Sequence, residues 1–320
     1  MNSLVNTPDG KTLLKPFPSW EMNKKGDCTA IQYAQSMEID PNTGYMWIID
    51  TGRVNILSTF SDVENLCPAK ILILDIANKN IIRSYEFPES VVSSKTNFLN
   101  DIVLDYIDGL ARYAYITDTS DGKIYVYDFV DNDSYYFEDA TMKQEPSSSR
   151  APVDGIAISF EFDFVYYCTL SSRDLYAIPT PILRNKTSNF TKNLIYVGKK
   201  ASGADGMAFG QRTLFYAGLD DNAVYKVNAQ GFSDMVSMAT EEKIMSDNES
   251  VQWADTFAFN GTDLWFIANK LSKFQTHSMH FSGSVNNMYI WKLNVVEHGY
   301  LWLAPLRTRR DSSALPGLFG

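Results

Sequence analysis

The chain has 320 residues, of which 45% are hydrophobic and 21% charged, with a formal net charge of -10. That length and apolar content support a real core in one large domain or two ordinary ones, which excludes disordered and fibrous classes. The acidity leaves no basic face to release counterions from a nucleic acid. No apolar run approaches the roughly 18 to 20 residues of a membrane-spanning helix, so a small molecule is the expected partner.

Eighteen Tyr, 19 Phe and 6 Trp make 13% of the chain aromatic, and such side chains favour pleated, half-buried surfaces. Clean helical spacing is missing, whereas short alternating runs bounded by Gly, Asp and Asn recur throughout. The opening Met1–Gly10 lacks the apolar centre of a signal peptide, and the first 19 residues carry one strand-like segment. Five anchor strands then follow in order: Gly44–Asp50, Tyr113–Asp118, Phe164–Cys168, Leu214–Ala217 and Leu264–Asn269. Their aromatic anchors Trp47, Tyr115, Tyr166, Phe215 and Trp265 are spaced by 68, 51, 49 and 50 residues. A polar turn and a further strand follow each: Ala69–Asp75, Ile124–Asp128, Asp174–Ile178, Ala223–Val227 and Met288–Lys292. The long first interval reflects the loop Gly52–Pro68.

A third strand precedes four of the anchors with a shared acidic opening at Asp101, Asp154, Asp205 and Asp255, spaced by 53, 51 and 50 residues; Ser36 is the equivalent in the first unit. A repeat near 50 residues with three or four short antiparallel strands is the blade of a β-propeller. The expected fold is therefore all-β, with about five blades visible. Residues 1–24 read as a strand and linker of an incomplete blade, 25–296 as the propeller and 297–320 as a flexible tail.

Propeller geometry aims the first strand of each blade at the central channel, so the four aspartates would converge on one mouth. Such convergence raises carboxyl pKa values or is relieved by a cation, calcium being the natural candidate. The alternative is that each aspartate caps its own blade through an Asx turn. Nucleophile elbows, phosphate loops, dinucleotide fingerprints and zinc-spaced cysteines are all missing. His277 and His280 lie on a Ser-rich loop and His298 in the tail, without an element to aim them at a metal. Cys168 in an anchor strand reads as a buried free thiol. Asn132, Asn185, Asn189, Asn248 and Asn260 head glycosylation sequons between strands. Arg307–Arg310 resembles a basic processing site, or a solvated charge run on a tail.

The blocks Leu14–Asn23, Gly26–Cys28, Met46–Gly52 and Cys67–Ala69, then Ile82–Pro88, Leu175–Asn185 and Leu264–Asn269, resemble in order the major royal jelly protein and yellow family. The resemblance runs from about Leu14 to Leu293. It implies a secreted, extracellular, six-bladed propeller, of which this chain is an N-terminally shortened version, with the signal peptide and first blade strands lying upstream. It also implies that Cys28 and Cys67 are disulfide partners, while two further family cysteines, expected near Pro41 and Asp108, are absent. Salivary members bind biogenic amines in the channel. Asn269 matches a ligand-contacting asparagine there, and Asp255 the acidic residue beside a threonine contact. That threonine is Ala254 here and the aromatic contact is Leu271, which removes a hydroxyl partner and a cation-π face.

Three functions follow. The leading one is a secreted, non-enzymatic propeller binding a small aromatic or amine ligand at a mouth built from Asp101, Asp154, Asp205, Asp255 and Asn269. The second is a dopachrome-converting enzyme of pigment formation, in which an acidic channel would supply a general base. The third is a structural or nutritive secreted glycoprotein. The sequence carries no sign of oligomeric state.

Overall fold

The computed structural model describes residues 1–302 except 11, 59, 149 and 284. Five antiparallel sheets follow one another along the chain as blades of a β-propeller. Blade one is Ala34–Asp40, Tyr45–Asp50, Lys70–Asp75 and Asn80–Glu86; blade two is Leu99–Ile107, Leu110–Asp118, Lys123–Asp128 and Asp133–Phe137. Blade three is Val153–Ile158, Phe164–Thr169, Asp174–Pro179 and Ile195–Lys199; blade four is Met207–Phe209, Thr213–Gly218, Ala223–Asn228 and Glu242–Ser246. Blade five has three strands, Trp253–Asn260, Asp263–Asn269 and Met288–Asn294. All five anchor strands and the strands after them fall where the repeat places them.

Sequence order equals order from axis to rim, because each strand of a blade pairs with the next one of that blade along the chain. The first strands of blades one to five pack side by side in succession around the axis. Both faces of the middle blades are covered, so their strands read as nearly continuous apolar runs, such as Phe164–Thr169 and Thr213–Gly218. Trp47, Tyr115, Tyr125, Tyr127 and Tyr167 fill the core between blades one, two and three, while Tyr166, Phe209 and Tyr216 fill the one between blades three and four.

Among the described residues, the first strands of blades five and one do not pack together as the other neighbours do. The burial pattern carries the consequence. Most of blade five alternates: Phe257, Phe266 and Trp291 pack toward blade four, while the side chains of Thr256, Ala258, Trp265, Ile267 and Ile290 line a shallow apolar hollow on the far side. Across the gap, Ile31, Met46, Ile48, Leu72 and Leu74 of blade one are covered by Met1, Phe17 and Met22. These belong to an N-terminal segment that holds two strands rather than one, the hairpin Asn2–Asn6 with Thr12–Pro16. Its leucines Leu4 and Leu14 are 55% and 68% exposed, so the hairpin covers blade one without being covered itself.

The loop Gly52–Pro68 is a small structure of its own. It contains the pair Arg53–Val54 with Glu64–Asn65 and is anchored by the Cys28–Cys67 disulfide, with Cα atoms 5.4 Å apart. Beneath it lies the buried ion pair Lys70–Asp50 at 3.0 Å. Asp50 also accepts the amides of Gln32, Tyr33 and Gly52 at 2.9, 2.9 and 3.0 Å, and Lys70 donates to the carbonyls of Cys28 and Ala30 at 3.0 and 2.8 Å. Cys168 is a buried free thiol.

Of the segment expected to be a flexible tail, residues 297–302 are ordered against the blades; Arg307–Arg310 lie outside the described residues.

Candidate functional site

Asp101, Asp154, Asp205 and Asp255 occupy the beginnings of four successive first strands, at one end of the axis. Local irregularities place them there. Strand register slips between Ala34 and Met37, between Leu99 and Ile102, between Val153 and Ile156, and between Ala254 and Thr256. Each slip brackets Ser36, Asp101, Asp154 or Asp255, and a bulge of this kind re-aims the side chain it contains. In blade four, Asp205 stands just ahead of the strand. The Asp-Gly pairs have a packing reason: a Cβ on Gly155 would sit 2.1 Å from the Asp205 carbonyl oxygen, and one on Gly206 2.2 Å from that of Asp255. Only glycine lets neighbouring first strands approach so closely.

The four carboxyl groups lie near enough to feel one another's charge. Ser36 Oγ donates to Asp101 Oδ1 at 2.9 Å, and the Ile102 amide to the same oxygen at 2.9 Å. Thr117 Oγ1 receives the Asp101 amide at 3.2 Å and donates to the Asp154 carbonyl at 2.6 Å, tying blade two to blade three. Asp205 lies close enough to Asp154 and Asp255 to couple electrostatically with them, and Trp253 Nε1 donates to its Oδ2. Asn269 Nδ2 donates to Asp255 Oδ2 at 2.9 Å.

Burial is the leading cause of every shift here. It pushes Asp101 up to about 6, with the Asp255 charge adding to the rise and Ser36 opposing it. Asp154 and Asp205 are raised well above the usual carboxylate range, by burial first and then by the charges of their neighbours. Asp255 is also raised by burial, against the hydrogen bonds of Asp205 and Asn269. Among the described residues none of the four is in an ion pair with Lys or Arg, and no group of three or more His, Cys, Asp or Glu side chains is arranged to hold a metal ion.

Amide capping is carried mainly by a different set of residues, at the ends of the second strands. Asp118 Oδ1 accepts the amides of Phe98, Ser120 and Asp121 at 3.1, 2.8 and 2.7 Å, as Asp50 does in blade one, and Asp220 accepts Gly203 in blade four. Asn269 plays that part in blade five, accepting the Leu271 amide at 2.9 Å, so both ends of its side chain are engaged. Ala254 is buried in the core between blades four and five, and Leu271, which opens the short helix Leu271–Gln275, packs against it.

Sequence reasoning missed the aromatic side of the mouth. Tyr33 feels the Asp255 charge, which adds to the rise that burial causes in its hydroxyl pKa, and its ring packs 6.3 Å from Phe98. Above the gap, Phe60 of the Gly52–Pro68 loop meets Phe274 and His277 of blade five, with centroids 6.4 and 4.8 Å apart. These residues lie outside the strand repeat, so its period could not flag them. A cleft of about 220 Å³ lined by Arg112, Asp128, Arg184 and Lys186, among others, includes none of the mouth residues. All five sequon asparagines, Asn132, Asn185, Asn189, Asn248 and Asn260, are exposed. No helix among the described residues is long and apolar enough to cross a membrane.

Comparison with known proteins agrees with this architecture. The major royal jelly protein family model matches residues 34–299. Major royal jelly protein 7 of Apis mellifera is 26% identical over 195 residues, covering 56% of this chain and 42% of the relative. Protein yellow of Drosophila melanogaster is 28% identical over 205 residues, covering 58% of this chain and 36% of the relative. The chain thus spans less than half the length of each of these two relatives. In fold, the chain is similar to a putative 6-phosphogluconolactonase from Bacteroides uniformis, with a TM-score of 0.55 at 9% identity over 84% of this chain and 71% of that one. With its repeat, its five blades and a family match over most of its length, the chain belongs to the major royal jelly protein family.

Proposed function

We propose that this chain is a secreted, non-enzymatic binding propeller whose acidic mouth takes a small ligand of the amine or aromatic class. The observation that carries the reading is the uncompensated array of Asp101, Asp154, Asp205 and Asp255. Burial raises the pKa of all four carboxyls, drawn from four blades, and a ligand ammonium would relieve the charge that ionisation places there. Tyr33, half-buried and backed by the buried Phe98, offers an aromatic ring where Leu271 cannot. The five exposed sequon asparagines are compatible with the glycans of a secreted protein.

The test is thermal unfolding at about pH 8 with an arylalkylamine, tryptamine, against an uncharged indole of the same ring. Binding raises Tm with the logarithm of amine concentration, and Asp205→Asn reduces the shift. Equal shifts from amine and neutral indole, or none from either, would overturn the reading. Turnover of dopachrome abolished by Asp205→Asn would replace it with the enzyme.

A further inference from the structure

The last described residues reach every blade. Glu297 accepts Thr213 Oγ1 at 2.7 Å and the Arg212 amide at 3.2 Å, both in blade four. His298 Nδ1 lies 3.0 Å from the Gly261 carbonyl in the first turn of blade five. Gly299 is pressed on the same blade so tightly that a Cβ there would fall 2.7 Å from Phe259. The Tyr300 amide donates to the Phe209 carbonyl of blade four at 3.0 Å. Its ring stands edge-on to Phe162 of blade three at 6.2 Å. Its hydroxyl donates to Glu38 of blade one at 2.9 Å and accepts the Leu104 amide of blade two at 3.1 Å.

Every partner on a first strand lies nearer the end of that strand than the acidic mouth residue does: Glu38 follows Ser36, Leu104 follows Asp101, Phe209 follows Asp205 and Phe259 follows Asp255. The segment therefore crosses the axis at the end opposite the carboxyl array. Tyr300 is only 8% exposed there.

We infer that residues 297–302 are a strap that stoppers the far end of the channel and carries the ring closure which blades five and one do not make by direct packing. On this inference the axis is approached from the acidic end alone, and the strap links blade five to blade one by way of one tyrosine hydroxyl. The inference stands apart from the identity of any ligand, since it rests on contacts at the other end of the axis.

Two shortened chains test it, one ending at Trp302 and one ending at Val296. The first should unfold like the parent; the second should lose about 10 °C in Tm. A cysteine placed by Glu38→Cys in a Cys168→Ala background should react with a charged thiol reagent about tenfold faster in the chain ending at Val296 than in the full chain. If the chain ending at Val296 does not fold, Tyr300→Phe in the full chain decides. That variant keeps the ring on Phe162 and removes the hydroxyl, so hydrogen exchange at the Leu104 amide should accelerate about tenfold. An unchanged Tm and labelling rate on truncation, or unchanged Leu104 exchange in Tyr300→Phe, would overturn the inference.

Discussion

Replacing Asp101 by Asn should stabilise the protein, and only above a definite pH. In the fold the Asp101 carboxyl rises from an ordinary 3.8 to about 6, because burial disfavours its charged form and the Asp255 charge adds to the effect. Two units correspond to about 3 kcal/mol; the side chain is only half-buried and partly screened by water, so about 2 kcal/mol is the working expectation. Below about pH 4 the group is protonated in both folded and unfolded chains, and it contributes no difference. As pH rises through about 6, the unfolded chain releases this proton more readily than the folded one, and stability falls. Asparagine cannot titrate, yet its Oδ1 still accepts from Ser36 and the Ile102 amide. Urea denaturation of parent and Asp101→Asn at about pH 4 and pH 8 should therefore give matching midpoints at the lower pH and a more stable variant at the higher. A variant less stable than the parent at pH 8, or a difference independent of pH, would refute the account of the mouth as a store of unwanted charge.

Gly206→Ala should cost about 3 kcal/mol in denaturant unfolding, because the new Cβ would fall 2.2 Å from the Asp255 carbonyl and drive the first strands of blades four and five apart; a loss under about 1 kcal/mol would show that the strands yield. Lys70→Ala should cost about 3–5 kcal/mol by leaving Asp50 charged without its ion-pair partner at a fully buried position. A near-neutral result in the same assay would mean that the three amides on Asp50 suffice by themselves.

The fold was legible where a feature recurs once per blade. Aromatic anchors near 50-residue spacing located all five second strands, since these sit mid-blade with both neighbours fixed and their composition follows from burial on two sides. The convergence of Asp101, Asp154, Asp205 and Asp255 was legible for the same reason: a position repeated in sequence is repeated around an axis. What stayed hidden is not periodic. Leu4 and Leu14 signal a hairpin only once blade one's uncovered face is known. Tyr300 makes its bonds to Glu38 and Leu104 across 262 and 196 residues, and no local pattern distinguishes such a residue from a tail. The capping role, too, was assigned from chemistry to the first-strand aspartates, whereas the end of the second strand is where orphaned amides collect. Asp50, Asp118 and Asp220 serve there.

These observations give the molecule a polarity with functional meaning. First strands all run the same way along the axis, so whatever begins them accumulates at one end and whatever ends them accumulates at the other. At the beginning stand carboxyls, bracketed in three blades by strand bulges and brought close in two places by glycine; at the end stand Leu104, Phe209 and Phe259 under the strap. The far end is closed by apolar packing around one carboxyl, Glu38, whose pKa burial raises to about 7 and which accepts the Tyr300 hydroxyl. At the acidic end burial already raises the pKa of all four carboxyls, so ionising several of them without a cation costs several kcal/mol each. Protonation or a nearby positive charge relieves that cost. The two ends of the axis thus differ in chemistry, four coupled carboxyls at one and the strap with a single carboxyl beneath it at the other, and it is this asymmetry that the proposed binding of a cation would use.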